Sequence, residues 1–125
     1  MTPTTSPSVE QILDTMRTTM GSVPPAIEKA AVADPRMVAE QVRSSAFAMP
    51  PEDGALDAET RTLVYLAVAL ATSNHACTVA MTNKARVQGI GDAKLLEALH
   101  IARYAMATKV LGDAEPVFDL ITERR

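Results

Sequence analysis

The sequence predicts an all-α protein, a single-domain helical bundle of six or seven helices. Apolar residues make up 47% of the 125 residues, but aromatic residues make up only 3% and there is no Trp. Runs of β-branched and aromatic residues, which are typical of strands, are few. Apolar residues instead recur at helical spacing, and Ser, Asp, Asn, Pro and Gly stand where helices would begin and end.

One short segment and one domain are expected. Residues 1–7 are rich in Thr, Ser and Pro and are predicted to be a flexible N-terminus. Residues 8–125 are predicted to form one domain. Pro50 and Pro51 mark a loop rather than a domain boundary, because the segments on either side are too short to fold alone.

Capping residues predict the helix boundaries. Ser8 and Gln11 form a capping box, Asp57 and Asn74 are good N-caps, and Gly89 suits a C-terminal stop. Three helices are expected in the first half of the chain: residues 9–20, ended by Gly21; a short helix from Pro25; and Arg36 to Phe47, preceded by the Asp34-Pro35 cap. The central pair is expected over 57–73 and 75–88. A long helix should follow from the cap Asp92 to Leu111, ended by Gly112, and a terminal helix should begin at Asp113 and Pro116.

The helix pair 57–73 and 75–88 is expected at the centre of the fold. From Leu63 to Ala71 its first helix is apolar on every face, which is typical of a helix enclosed by protein. A 125-residue chain has difficulty enclosing such a helix alone, so the pattern indicates a homo-oligomer. The predicted inward stripes are Cys77, Met81 and Ala85 on the second helix and Leu95, Leu96, Leu99, Ala102, Met106 and Val110 on the long one.

Charge and cysteine content exclude several classes. The net charge is −3 and no block of Lys or Arg stands out, which argues against nucleic acid as a partner. A single cysteine excludes an intramolecular disulfide and fits a reducing compartment. The N-terminus does not resemble a signal peptide, and the longest apolar run is shorter than the roughly 20 residues that a membrane span needs. A soluble, cytoplasmic protein without a membrane segment is expected.

Several residues around the central helix pair form a recognisable pattern in one register. They are Gly54, Ala55, Leu56, Asp57, Thr60, Arg61, Leu63, Leu66, Ala67, Val68, Ala69, Ala85 and Gly89. Over roughly residues 24–112 the chain resembles the carboxymuconolactone decarboxylase and alkylhydroperoxidase D-like family. The resemblance implies an all-helical fold and a homo-oligomer of three or six subunits, and it suggests thiol-dependent peroxidase (peroxiredoxin) or lactone decarboxylase activity.

The chain departs from that family at its reactive positions. The peroxidase branch carries Cys-x-x-Cys-x-x-x-His and an upstream acidic residue; aligned on Ala85, these positions hold Asn74, Cys77, Met81 and Thr62. Asn74 cannot resolve a sulfenic acid as a disulfide. Thr62 and Met81 cannot relay a proton, which general acid–base chemistry requires. Standard dithiol peroxidase activity is therefore not expected, and lactone decarboxylation lacks its expected acid or base.

Two interpretations of Cys77 stay open. It is either a small buried hydrophobe or a reactive thiol, since the N-terminus of a helix stabilises a thiolate and Asn74 could hydrogen-bond to the sulfur. His75 lies about 200° around the helix from Cys77, which disfavours a Cys–His pair; its alternative role is that of a polar residue at a helix start. His100 is expected at the surface or a subunit interface.

Two functions follow from these alternatives. The first is an enzyme, a one-cysteine peroxidase or redox sensor with catalytic Cys77 and His75 and an external resolving thiol. The second is a non-catalytic binding protein with a small-molecule pocket at Thr62, Asn74 and Met81 near Cys77. Tyr65 or Tyr104 could line such a pocket. No cofactor is expected, and the spacing of His75, Cys77 and His100 does not indicate a metal site.

Overall fold

A computed structural model describes residues 7–52 and 54–125 of the chain. These residues form seven α-helices and contain no strand. The predicted flexible N-terminus lies, except for Pro7, outside the described residues. The helices are α1 (Val9–Met20), α2 (Pro25–Ala33), α3 (Pro35–Ala48), α4 (Ala58–Ala71), α5 (His75–Gln88), α6 (Asp92–Asp113) and α7 (Glu115–Glu123). The all-α prediction is confirmed.

Local capping explains most of the boundaries. Ser8 and Gln11 form the predicted capping box at the start of α1. The Asp57 carboxylate accepts a hydrogen bond from the Thr60 N–H at 2.8 Å and begins α4. Gly89 ends α5 in a left-handed conformation with φ of 69°, which glycine adopts without a steric cost. Because these contacts form within a few residues, the boundaries of α1 and α5 and the start of α4 agree with the prediction, while α4 ends at Ala71 rather than at residue 73.

The centre of the fold is the hairpin of α4 and α5. The helix α6 packs against α4, and α1 packs against α5, while α2 and α3 pair with each other and α3 also packs against α1. The connection between α4 and α5 spans only residues 72–74, and Ser73 takes a left-handed φ of 57° there. The buried apolar residues are Ile12, Leu13, Val23, Val38, Leu66, Ala69, Met81, Ala85, Ile90, Ala98 and Ala102. This core is aliphatic, as the composition predicts.

The prediction for α6 is wrong at both ends, and its buried stripe is only partly right, since Ala102 is buried as predicted but most of the larger residues are not. The N-cap is Gly91, Asp92 is the first helical residue, and the helix continues through Gly112 to Asp113. Ala98 and Ala102 are its buried residues, while Leu96 and Leu99 are about half exposed. Small side chains let two helices approach closely, so α6 contacts α4 with its alanines and leaves several leucines outside. The terminal helix accordingly begins at Glu115 rather than Asp113.

The single chain does not enclose α4. Leu66 and Ala69 are buried, but Val64 is 49% exposed and Val68 is 56% exposed on the opposite side. A chain of 125 residues was expected to have difficulty enclosing this helix alone, and the exposure of Val64 and Val68 agrees with that expectation. In the described part of the chain, no helix is both long and apolar enough to cross a membrane.

Candidate functional site

The single thiol of the protein is in contact with a phenol. Tyr65 lies in the second turn of α4 and Cys77 in the first turn of α5, and their side chains meet across the hairpin with 3.2 Å between the hydroxyl oxygen and the sulfur. Cys77 is partly buried, whereas Tyr65 is 36% exposed. The helices α4 and α5 are antiparallel and joined by a short connection, so side chains on their facing sides can meet.

This contact governs the ionisation of the phenol. The hydrogen bond with Cys77, followed by burial and by the charge of the sulfur, raises the pKa of Tyr65 above its ordinary value. Either the hydroxyl or the thiol could donate in this hydrogen bond.

Tyr65 also belongs to the wall of an apolar cavity. The cavity has a volume of about 280 Å³ and lies between the C-terminal end of α3, the loop that follows it and α4. Its lining residues are Ala48, Met49, Leu56, Arg61, Val64, Tyr65 and Val68. We call it the Tyr65 cavity. Tyr65 therefore links the thiol on one side to an apolar space on the other.

Arg61 holds one wall of this cavity in place. Its guanidinium donates to the carbonyl oxygens of Pro50 at 2.8 Å, Leu56 at 3.1 Å and Glu52 at 3.3 Å. Arg61 is only 9% exposed, so these bonds replace the water that the cation lost on folding. Lys84 lies near enough that the charge of Arg61, together with the larger effect of burial, lowers the pKa of Lys84. Arg61 thus shapes the cavity by anchoring the loop before α4.

The three predicted pocket residues line neither of the two cavities described here. Thr62 is fully buried and donates to the carbonyl oxygen of Ala58 at 3.2 Å. Met81 faces the core from α5. The side-chain oxygen of Asn74 accepts the backbone N–H of Cys77 at 3.1 Å, so it caps α5 rather than contacting the sulfur. The structure therefore places Thr62 and Met81 in the core and Asn74 in a capping role.

His75 and Cys77 point to different sides of α5, as their spacing predicts. Cys77 faces Tyr65 of α4, whereas His75 lines a second cavity of about 400 Å³ beside the connection between α1 and α2. The second cavity is lined by Met20, Ser22, Pro24, Pro25, Ala26, His75, Ala76, Val79, Ala80 and Asn83. His100 is exposed on α6. Within the described ranges, no three His, Cys, Asp or Glu side chains come together in a way that could hold a metal ion.

Sequence reasoning missed Tyr65 as the partner of Cys77. The two residues are 12 positions apart on different helices, so no helical spacing relates them. The sequence also does not say which side of each helix faces the other. That orientation depends on how α4 packs between α5 and α6.

The fold and site together define a small all-helical protein built on an antiparallel hairpin, with a cysteine in the first turn of its second helix. The sequence model of the carboxymuconolactone decarboxylase family matches residues 38–119, which include the whole hairpin and most of α7. The chain therefore belongs to the carboxymuconolactone decarboxylase family. No curated protein matches the chain.

Proposed function

We propose that this protein is a cytoplasmic, homo-oligomeric member of its family that binds a small apolar molecule in the Tyr65 cavity and has no dithiol peroxidase activity. The observation that carries this proposal is the pairing of Cys77, the only cysteine in the chain, with Tyr65 rather than with a thiol, an imidazole or a carboxylate. The helical scaffold is therefore that of the family, but the group beside the sulfur is a phenol.

The chemistry of hydroperoxide reduction supports the proposed absence of dithiol peroxidase activity. A dithiol enzyme needs one thiolate to attack the O–O bond and a second thiol to resolve the sulfenic acid. Asn74 occupies the position of the second thiol and is committed to capping α5. Met81 and Thr62, at the positions of the relay, are buried and do not titrate.

The size and lining of the Tyr65 cavity support the proposed binding of a small apolar molecule. Small-molecule sites are mostly apolar, have a few polar groups and typically occupy about 300–1,000 Å³. At about 280 Å³ the Tyr65 cavity lies just below that range. Its polar lining residues are Tyr65 and Arg61, and the guanidinium of Arg61 already binds three carbonyl groups. The expected ligand is therefore compact and apolar, with at most one or two polar atoms that can bond to the phenol.

Ligand-observed NMR with 1-naphthol as the probe tests this binding. Saturation transfer is expected with the wild type and is expected to be lost in Val64→Trp, which fills the cavity. Val32→Trp is the matched control, because Val32 is 87% exposed on α2 and lines neither described cavity. Equal transfer in the wild type and in Val64→Trp would refute binding in the Tyr65 cavity.

A second function, that of a one-cysteine peroxidase, is favoured by the phenol at the sulfur. The Cys77 thiolate would attack the outer oxygen of a hydroperoxide, forming the S–O bond of a sulfenic acid as the O–O bond breaks. The alkoxide would leave as an alcohol after taking a proton, for which Tyr65 is a nearby source. An external thiol would then form a mixed disulfide with Cys77 and release water, and a second would regenerate the Cys77 thiol. The hydrogen bond of 3.2 Å is the geometry that this step would use.

A peroxide-consumption assay with excess external thiol separates the two functions. Under the first, the wild type and Cys77→Ser consume peroxide at the same near-zero rate. Under the second, the wild type is faster than Cys77→Ser, and Tyr65→Phe is intermediate. As a gain-of-function comparison, Asn74→Cys restores the second thiol and should form an intramolecular disulfide with Cys77 on oxidation.

A further inference from the structure

The chain exposes more surface than a compact monomer of its mass. Its accessible surface is 9461 Å² for 13.3 kDa, whereas the usual scaling for folded monomers gives about 6,500 Å². The excess is roughly 3,000 Å². A standard protein interface covers about 800 Å² on each partner, so the excess is more than one such interface requires.

Much of this surface belongs to residues 103–125, which we call the C-terminal arm. It consists of the second half of α6 and all of α7, and each of its residues except the partly buried Ala114 is exposed. The helix α7 makes its main contacts with α6 and has no buried residue. Its exposed apolar residues are Val117, Phe118, Leu120 and Ile121.

The arm has the pattern of a helix that packs against protein. At 100° per residue, the four apolar residues of α7 occupy an arc of about 160°. Glu115, Asp119 and Glu123 lie on the opposite side of the same helix. A nine-residue helix is not stable alone in water, and α7 contacts little of its own chain. Something therefore has to cover its apolar side.

A second uncovered apolar surface lies on the body of the same chain. It consists of Val64, Tyr65 and Val68 of α4, together with Met49 and Leu56 beside them, and we call it the α4 face. Val64, Val68 and Leu56 are each about half exposed. This surface is the open side of the Tyr65 cavity. The arm cannot fold back onto it at α6, since α6 is one continuous helix from Asp92 to Asp113.

We propose that the C-terminal arm of a second copy of this chain lies on the α4 face and closes the Tyr65 cavity, with Phe118 above Val68. This proposal rests on the homo-oligomer of the proposed function and adds the surfaces that form it. A second copy is the occupant favoured here because one contact, repeated by symmetry, covers both uncovered apolar surfaces of every chain. A different partner on either surface would leave the other in water.

Cross-linking tests the contact directly. In a Cys77→Ser background, Val68→Cys and Phe118→Cys are prepared singly and together and treated with a short bismaleimide. The double variant is expected to give covalent dimers and larger species on a denaturing gel, and each single variant is expected to stay monomeric. Dimers from either single variant at the yield of the double variant, or none from the double variant, would overturn the contact.

Sedimentation supplies the second measurement. The wild type is expected to be an oligomer, and Phe118→Asp and Val68→Asp are each expected to shift it to monomer, while Val32→Asp on the exposed side of α2 leaves it unchanged. A wild type that sediments as a folded monomer would overturn the proposal. Ligand binding is measured separately by NMR, so failure of the arm contact and failure of the proposed binding function give different results.

Discussion

The hydroxyl of Tyr65 lies 3.2 Å from the sulfur of Cys77 and at the same time belongs to the wall of an apolar cavity. The only thiol of the protein is thereby connected to the space in which a ligand would bind. Tyr65 should therefore affect the reactivity of the Cys77 thiol, and Cys77 should affect the pKa of the Tyr65 phenol.

Replacing Tyr65 with Phe should slow alkylation of Cys77 by iodoacetamide at neutral pH, by roughly three- to tenfold. A hydrogen bond to a charged acceptor contributes about 1.5–3 kcal/mol when well shielded, and partial exposure reduces this; a tenfold change corresponds to about 1.4 kcal/mol. Phe keeps the shape of the ring. Tyr104→Phe is the control, because Tyr104 is exposed on α6, and an unchanged rate in Tyr65→Phe would show that the phenol does not influence the thiol.

The phenol of Tyr65 should titrate above the ordinary value of about 10. Ultraviolet absorbance of the Tyr104→Phe variant reports Tyr65 alone. Adding Cys77→Ala should lower the pKa of Tyr65, because the hydrogen bond with Cys77 is the largest cause of the raised pKa. Burial should still keep the pKa of Tyr65 somewhat raised. The folded-state pKa is higher than the unfolded one. The contribution of Tyr65 to the free energy of unfolding is therefore complete below about pH 10 and is lost as the pH rises through the folded-state pKa of Tyr65.

Asn74→Ala should lower the free energy of unfolding by about 1 kcal/mol, because α5 loses its N-cap. Asn74→Asp keeps an oxygen that accepts the Cys77 N–H and should be close to the wild type. Urea unfolding followed by circular dichroism measures both variants. If Asn74→Ala were as stable as the wild type, capping would not account for the residue at this position.

Arg61→Met should lower the free energy of unfolding by about 2–4 kcal/mol, since three carbonyl groups lose a charged donor inside the protein. Arg61→Lys should recover only part of this, because an ammonium group lacks the planar fork that reaches several acceptors. Limited proteolysis after Glu52 should also become faster in Arg61→Met. Wild-type stability together with wild-type proteolysis would contradict the anchoring role.

The outcome at α6 shows where sequence reasoning reached its limit. The helix itself was predicted from its apolar periodicity, but Leu96, Leu99 and Met106 made the leucine-rich side look like the buried one. The structure buries Ala102 of that predicted stripe together with Ala98, which lay outside it, and leaves these three larger side chains exposed. The apolar side of a helix can pack against another helix of its own chain or against a different molecule. The apolar periodicity of the sequence is the same in both cases.

The sequence by itself determined the helices and most of their ends, because caps such as Ser8, Asp57 and Asn74 act on backbone groups a few residues away. It also determined the family and the loss of the second thiol at Asn74. Only the tertiary structure decided that Cys77 meets Tyr65, that Thr62 and Met81 lie in the core, and that α4 keeps one side uncovered. Those outcomes depend on how helices distant in sequence approach and rotate against one another, which local interactions do not specify.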